Sequence, residues 1–509
     1  MTYLGPTPEP TPIPNPSPAP APKPAPPAPP APVLPEPAPV PGTLPLRDAE
    51  DIQGNVLAAY NQNYQSFLVY TLPSTPDVAR SWLRDMTPLL ASTKTVEDHN
   101  NDVREAHAAG QPHTGATWVN LGLTAAGIKI LAADSVAANE KLALFQALVG
   151  GPVRPGISLG DTGASDPARW RFGAPGQPVL HAIITVSADT DDDRVSIADK
   201  VVAIAATHGA SLVDRVDAAA LFDGTGKQSG HEHFGHKDGV SQPGVVGFHA
   251  PNPARPGERK DHPGTVLVAA GEFLLGEPAQ TGTVAAVPSW LQHASFQVLR
   301  PLQQDVTGWW DQAHRYASAG FGSNPAEASA LLMGRYPSGN TLAATPTAVP
   351  TRVPTVRSTD SEANDFTFAP GSIAAGTPSW AHISKTNPRD GSEANHRLMR
   401  RGIAYGPVFD HTNDVNDAAE RGLVFHAYMA SIENQFEFIQ GQWANSTSFH
   451  GGVDPVIGDT GQTQVSPTVN GRSAPAPLAR FVTTRGTVYA VALTIPVLTR
   501  LATDGTLPA

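Results

Sequence analysis

The sequence contains no cysteine among its 509 residues. This absence excludes disulfides, thiolate nucleophiles, zinc–cysteine sites and iron–sulfur clusters. It also excludes thioether attachment of a cofactor and any thiolate metal ligand. It does not assign a compartment, because reducing and oxidising compartments both tolerate a protein without cysteine.

Positive charge and long apolar runs are also scarce. The net charge is −12 and the isoelectric point is near 5.8, which argues against a nucleic-acid-binding protein, since that class normally has a basic face. No run of about 18 apolar residues is available to span a bilayer. The opening stretch, MTYLGPTPEPTPIPNP, has neither the basic nor the apolar region of a signal peptide. We expect a cytoplasmic protein by default and leave a secreted form open.

Proline is abundant and unevenly distributed. Residues 1–46 hold 20 of the 52 prolines, mostly as X-Pro repeats. Such a segment cannot build a hydrogen-bonded core and samples extended, polyproline-like conformations. We predict a proline-rich disordered tail over residues 1–46. Composition favours a solvated spacer over a docking sequence for a proline-binding partner.

The rest of the chain mixes strand and helix patterns. Apolar runs predict strands at Phe67–Leu72, His181–Val186, Ser211–Val213, from Ser295 onward, at Gly422–Ala430 and at Phe481–Leu493. Helical patterns cover Leu121–Leu131 and Val195–Thr207, and Asn324-Pro325-Ala326-Glu327 has the capping residues that open a helix. The spacing is not that of a doubly wound sheet, so we predict an α+β fold of two similar halves, 47–290 and 291–509.

Two segments carry candidate chemistry. Asp238 lies in the glycine-flanked loop GHKDG, where an Asx-type turn is the simpler explanation of an isolated match. His382 is followed 18 residues later by Arg400, and a structural histidine and a solvated arginine would explain that pair taken alone. A third group, with the spacing H-x-H-x-x-H, could suggest zinc, and it consists of His231, His233 and His236.

Together these segments resemble the dye-decolourising peroxidase family. The sequence GHKDGVSQPG matches the family's G-x-x-D-G motif, and HISKTNPR and MRRGIAYG match its haem-ligand and distal-arginine regions. Further matching blocks include DIQGNVL, GEFLLGEP, SFQVLRPLQQDV, ERGLVFHAYMASIENQFEFIQGQWAN and FVTTRGTVYA. The resemblance covers about residues 48–505 and leaves out only the proline-rich tail.

The resemblance implies two ferredoxin-like halves with antiparallel sheets that form one haem-binding unit, with one haem b per chain. It implies a peroxidase that reduces hydrogen peroxide and oxidises bulky phenolic or dye-like donors through a ferryl intermediate. A haem-binding or haem-handling protein with incidental peroxidase activity is the alternative, and a zinc hydrolase on the histidine cluster is a remote third. We expect hydrogen peroxide and aromatic reductants as partners, no nucleic acid and no membrane span; oligomerisation stays open.

Residue roles follow from the resemblance by position. His382 would be the iron ligand, Asp238 the distal acid and base, and Arg400 the distal guanidinium. Further haem contacts are expected from Gly239, Arg389, Leu423 and Phe425.

Other roles implied by the resemblance are a carboxylate that binds the ligand histidine, a cation that meets a haem propionate, and aromatic residues that carry electrons. Asp454 is the first choice for the carboxylate behind His382, and Glu433 is the second. The family commonly has an arginine two residues after the ligand histidine, where it can meet a haem propionate. This chain has Ser384 at that position, so Arg389 and Arg335 are the candidates to meet the propionate instead. Two aromatic residues match positions implicated as electron relays, and these are Tyr405 and Trp443.

Overall fold

The structure, a computed structural model, describes residues 44–135, 140–262, 264–342, 364, 366–368, 376–411, 418–460, 468–469, 472–474 and 476–507. All of them belong to the unit that spans Leu34–Ala509. Nearly all of the predicted proline-rich segment lies outside the described residues. Its last residues, however, enter a 3-10 turn at Pro45–Asp48, where Leu46 is buried and its N–H donates to the Gly247 carbonyl at 3.1 Å.

Helices follow the capping signals of the sequence. Asn324 caps one of them by accepting the Glu327 N–H at 2.9 Å, with Pro325 as the first helical residue, as the sequence predicts. The α-helices are α1 (Gly54–Leu57), α2 (Pro76–Met86), α3 (Thr93–Ala108), α4 (Ala125–Leu131), α5 (Gln146–Gly150), α6 (Asp191–Thr207), α7 (Val306–Ser318), α8 (Pro325–Met333), α9 (His382–Thr386) and α10 (Ile495–Asp504). Two π-helical segments follow one another at Ile432–Glu437 and Ile439–Ala444.

Most strands belong to one large antiparallel sheet. Its members are β1 (Tyr64–Thr71), β2 (Thr117–Leu123), β3 (Ala182–Ala188), β4 (Ser211–Ala219), β9 (Ser295–Gln304), β10 (Met399–Arg400), β11 (Ile403–Tyr405), β12 (Gly422–Met429), β15 (Val482–Thr484) and β16 (Val488–Ala492). The remaining strands form small two-stranded pairs: β5 (Gly244–Val245), β6 (Pro251–Asn252), β7 (Arg255–Arg259), β8 (Leu267–Val268), β13 (Thr468–Val469) and β14 (Arg472–Ser473).

Eight strands of the sheet close into a ring. The order is β12-β11-β4-β1-β3-β2-β16-β9, and β9 pairs back onto β12. Strands β1–β4 take the order β4-β1-β3-β2, and β9, β11, β12 and β16 repeat it as β16-β9-β12-β11. Each half is therefore ferredoxin-like, which confirms the predicted α+β class. The halves join at two thin seams, because β2 meets β16 through one residue pair and β4 meets β11 through another.

Strand alternation places apolar residues on both faces of the ring. On β1, Phe67 and Val69 face an inner core, whereas Leu68 and Tyr70 pack against the outer helices. A strand buried on both faces needs a continuous apolar run, which is why the sequence FLVY carries no polar alternation. On β12, Val424 faces inward and Phe425 faces outward.

Two secondary-structure predictions need correction. The helix predicted over Leu121–Leu131 is the end of β2 followed by α4, because residues up to Leu123 pair with β3 and Thr124 caps α4 by accepting the Gly127 N–H. The strand predicted over Phe481–Leu493 is two strands, β15 and β16, separated at Arg485-Gly486-Thr487. In the described residues, no helix combines the length and hydropathy needed to cross a membrane.

Candidate active site

A cavity of about 300 Å³ lies against the outer face of β9 and β12. From the sheet it receives Arg300, Leu302, Leu423 and Phe425, since alternate residues of these adjacent strands point to the same side. The other walls come from the loop 232–243, from α8 and α9, from the segment 387–400 and from the π-helical region with the residues that follow it. The cavity therefore collects side chains from both halves of the chain.

His382 enters the cavity as the first residue of α9. Its Nδ1 lies 2.8 Å from Oδ2 of Asp454, a fully buried carboxylate that also accepts the N–H groups of Val456 and Ile457 at 2.8 and 3.0 Å. Burial alone would raise the pKa of Asp454, but His382 and these backbone donors outweigh it and hold that pKa below the usual range. The carboxylate fixes the imidazole and leaves Nε2 as the nitrogen available to a ligand.

Asp238 and Arg400 face one another at the same cavity. Arg400 Nη1 lies 3.6 Å from Asp238 Oδ1, and both side chains are a little over one-third exposed. Arg400 Nη2 also donates to the Ser241 carbonyl at 2.7 Å, and Asp238 Oδ1 accepts the Gly239 N–H at 2.6 Å. The left-handed conformation of Gly239 (φ +70°) forms the turn after the carboxylate. A carboxylate and a fixed cation thus share access to one space.

Ser384 does not reach the cavity. It is buried, and its hydroxyl has no hydrogen-bond partner among the described residues. Arg389 and Arg335 do line the cavity, and their guanidinium groups approach the same amide oxygen, Asn364 Oδ1, at 2.7 and 3.3 Å. Both also lie over the ring of Phe366. Burial lowers the pKa of Arg335 to about 10. Two cations beside the cavity could bind an anionic ligand group.

The three clustered histidines do not converge on one point, and two of them make separate hydrogen bonds. His233 Nε2 lies 2.9 Å from the Tyr405 carbonyl, and His236 Nε2 lies 2.7 Å from the Ser329 hydroxyl. The ring nitrogens of His231 have no hydrogen-bond partner within the described ranges. In that part of the chain, no group of three His, Cys, Asp or Glu residues could hold a metal ion. The geometry gives the zinc alternative no support.

The remaining predicted residues divide between the cavity and other places. Glu433 accepts the Ala147 N–H at 2.7 Å, whereas the carboxylate that His382 meets is that of Asp454. Tyr405 packs on the inner face of the ring with Val424, so its side chain lies on the opposite face from the cavity. Trp443 is buried, stacked on Phe449 at 5.2 Å between centroids and edge-on to His396, which lines the cavity.

Three buried charged residues near the site were missed in the sequence, and two of them, Glu232 and Arg300, line the cavity. Glu232 accepts the N–H groups of Phe234 and His236, and burial raises its pKa to about 7. Arg300 makes a two-pronged ion pair with Asp161 at 2.7 and 3.1 Å. The third is Lys385, which is buried on α9 and does not line the cavity. Arg300 had a readable signal, because it is a lone charge inside the apolar run SFQVLRPL, and buried charges need a partner.

Family models match both halves of the chain. Residues 51–220 match the model described as the DyP dimeric alpha+beta barrel domain. Residues 277–451 match the model described as Dyp-type peroxidase, C-terminal. The two matches follow the order of the two ferredoxin-like halves.

Individual relatives agree with the family models. The chain is 30% identical to Peroxidase 2 of Mycetinis scorodonius, over 80% of this chain and 76% of that protein. It is 29% identical to a dye-decolorizing peroxidase of Auricularia auricula-judae, over 87% and 84%. A crystal structure of a decolorizing peroxidase from Auricularia auricula-judae matches with a TM-score of 0.68 at 27% identity, over 89% of this chain and 99% of that one. The structure of a mutant dye-decolorizing peroxidase from Pleurotus ostreatus matches with a TM-score of 0.72 at 25% identity, over 90% and 99%.

Proposed function

The chain belongs to the dye-decolourising peroxidase family, and on that premise we propose that it holds one haem b on His382 and activates hydrogen peroxide with Asp238 and Arg400. It is a haem peroxidase that acts on dyes, with hydrogen peroxide and a reducing substrate as its reactants. The observation that carries the residue assignment is that one cavity contains the His382–Asp454 pair and the Asp238–Arg400 pair together.

The residues around the cavity fit a haem. His382 offers Nε2 as a ligand, because its Nδ1 already contacts Asp454. Leu423 and Phe425 offer apolar surface to a flat macrocycle. A Cβ at Gly239 would meet nothing within 4 Å, so the backbone there borders open space. Arg389 and Arg335 supply cations for the carboxylate groups of the macrocycle, the task that Ser384 cannot perform. The absence of cysteine supports a non-covalent, b-type haem.

The proposed chemistry divides the reduction of peroxide between two side chains. Asp238 accepts a proton from one peroxide oxygen and returns it to the other, which then leaves as water when the O–O bond breaks. Arg400 stabilises the negative charge that develops on the leaving oxygen, and its guanidinium keeps its charge at any working pH. The bound haem supplies the two electrons, which two one-electron donors later restore. Asp454 holds His382 and makes its imidazole a stronger electron donor.

The spectrum of the purified full-length protein tests this proposal. Haem-loaded protein should show a Soret band that changes on addition of stoichiometric peroxide and recovers on addition of an aromatic donor. His382→Ala should lose tight haem binding, because the described residues offer no second imidazole with a carboxylate-bound Nδ1 at the cavity. Retention of a five-coordinate histidine spectrum in that variant would remove His382 from the role. A parental Soret band that ignores peroxide would favour haem handling over peroxidase activity.

A further inference from the structure

Lys385 is a fully buried cation one helical turn after His382 on α9. Its Nζ donates to three backbone carbonyls, those of Ser446, Phe449 and Gly452, at 2.8, 2.6 and 2.6 Å. An ammonium group has three hydrogens, so every one of them has an acceptor. The Phe449 ring adds a cation–π contact, with Nζ 5.2 Å from its centroid.

Burying this charge is expensive, and burial lowers the pKa of Lys385 to about 8. An apolar side chain of the same length would fill the space without that cost. A residue that only packed α9 against its surroundings would not need a charge. The three hydrogen bonds therefore indicate that Lys385 holds in place the segment that carries these carbonyls.

Segment 446–452 is followed closely by Asp454, the carboxylate that contacts the proposed iron ligand. The carbonyls bound by Lys385 lie at positions 446–452, and Asp454 follows two residues later. Asp454 donates its own N–H to the Ala444 carbonyl at 2.8 Å, and its carboxylate meets His382. Helix α9 is thus linked to segment 446–454 twice, once through His382 and once through Lys385.

We propose that Lys385 is a positioning residue that fixes Asp454 against Nδ1 of His382. The inference rests on the proposed role of His382 as iron ligand. With the ammonium removed, segment 446–452 loses three charge-assisted hydrogen bonds, and the carboxylate at its end loses its fixed distance from the imidazole. Lys385 then acts on the metal only through Asp454 and His382.

The test compares three variants of the haem-loaded full chain: Lys385→Met, Asp454→Asn and the double variant. Methionine keeps approximate length and removes the charge and the donors. The readout is the iron–histidine stretching vibration of the reduced protein, which rises when a carboxylate holds the other imidazole nitrogen. We expect Lys385→Met to shift this vibration down toward the Asp454→Asn value. The double variant should match Asp454→Asn alone, because a residue that acts through Asp454 has nothing left to act on.

Lys94→Met is the matched control, since Lys94 pairs with Asp98 on the partly exposed surface of α3 and should leave the vibration unchanged. A parental frequency in Lys385→Met, or an additional shift in the double variant, would overturn the inference. If the parental protein itself shows no iron–histidine vibration, the ligand assignment fails instead.

A second measurement does not depend on haem uptake. Hydrogen exchange of residues 446–457 in the protein without haem should become at least about tenfold faster in Lys385→Met, because the segment loses three charge-assisted hydrogen bonds that oppose its local opening. Lys94→Met should keep parental protection there. Unchanged protection in Lys385→Met overturns the inference. If that variant does not fold, Lys385→Arg replaces it. Its planar guanidinium cannot reproduce the three-way contact, so parental exchange in Lys385→Arg would equally overturn it.

Discussion

Side-chain direction on the strands decides which residues can do chemistry. Phe425 and Arg300 are paired across β12 and β9 and face the cavity together, whereas Val424, one residue away, faces the inner core. Asp238 is not on a strand, and its approach to Arg400 depends on the turn at Gly239. Small changes of backbone at that turn should therefore affect peroxide chemistry more than they affect stability.

Removing either distal side chain should slow the reaction with peroxide and leave haem bound. We expect Asp238→Asn to slow it about 10²–10⁴-fold, the usual contribution of positioned proton transfer. Arg400→Leu should slow it about 10²–10³-fold through loss of one charge-stabilising donor. Stopped-flow absorption of the Soret band measures both rates. Parental rates in both variants would refute the assignment.

Electron transfer from bulky donors should depend on Trp443. Its ring contacts the cavity-lining His396, so Trp443→Phe should slow oxidation of a dye while small donors and peroxide react at parental rates. Tyr405→Phe should slow the dye less, because Tyr405 lies on the inner face of the ring. Steady-state rates with two donors of different size provide the measurement. Equal loss for both donors in Trp443→Phe would indicate damaged packing.

The sequence located the proposed site residues better than their surroundings. Motif blocks identified His382, Asp238 and Arg400, and the structure brings all three to one cavity. The sequence left both Asp454 and Glu433 as candidates for the carboxylate that contacts His382. Asp454 is 72 residues from His382, and no local sequence pattern indicates a contact over such a separation. Lys385 and Glu232 went unnoticed, since a buried charge looks the same in sequence as an exposed one. Tyr405 was identified, but the face of the ring on which its side chain lies was not predicted, because that face depends on strand register.

At the scale of elements, one side chain bridges one of the two thin seams of the ring. Gln53 is buried between β2 and the end of β16, where its Nε2 donates to the carbonyls of Leu121 and Leu493 at 2.9 and 2.7 Å. Its Oε1 accepts from the Leu121 N–H and the Asn120 amide at 2.8 and 2.6 Å. The amide thus supplies the cross-strand bonds that the single β2–β16 residue pair lacks.

Gln53→Leu should therefore be strongly destabilising. It leaves several buried backbone groups without partners, and each unsatisfied group costs about 1–3 kcal/mol. We expect the free energy of unfolding to fall by at least about 2–4 kcal/mol, measured by denaturant unfolding. Gln111→Leu, at an exposed position, should change it by less than about 0.5 kcal/mol. Similar losses in the two variants would show that the seam does not depend on Gln53.

For the molecule as a whole, buried histidines should make the fold sensitive to acid. Burial lowers the pKa of His426, His236 and His249 to about 3, well below the unfolded value near 6.5. Their stabilising contribution is complete above pH 6.5 and is lost as pH falls from there toward 3. Burial raises the pKa of Glu232 to about 7, so this carboxyl acts in the opposite direction and offsets part of the histidine effect.

Denaturant unfolding at pH 7.5 and pH 5.0 measures this dependence, with a lower midpoint expected at pH 5.0. His426 lies inside the ring against Phe67, so His426→Leu should reduce the difference between the two midpoints even if it lowers both. His113→Leu, at an exposed position, is the control and should retain the parental difference. An unchanged difference in His426→Leu would exclude this imidazole as a source of acid sensitivity.

The position of β16 between β2 and β9 has a consequence for biosynthesis. Strand β2 ends at Leu123 and its neighbour β16 begins at Val488. A ribosome that adds about 5–20 residues per second needs on the order of tens of seconds to cover that interval. Until then β2 is an unpaired edge on the nascent chain, of the kind that invites aggregation. The ring closes only after β16 has been synthesised, so haem should be inserted after that point and not into the shorter nascent chain.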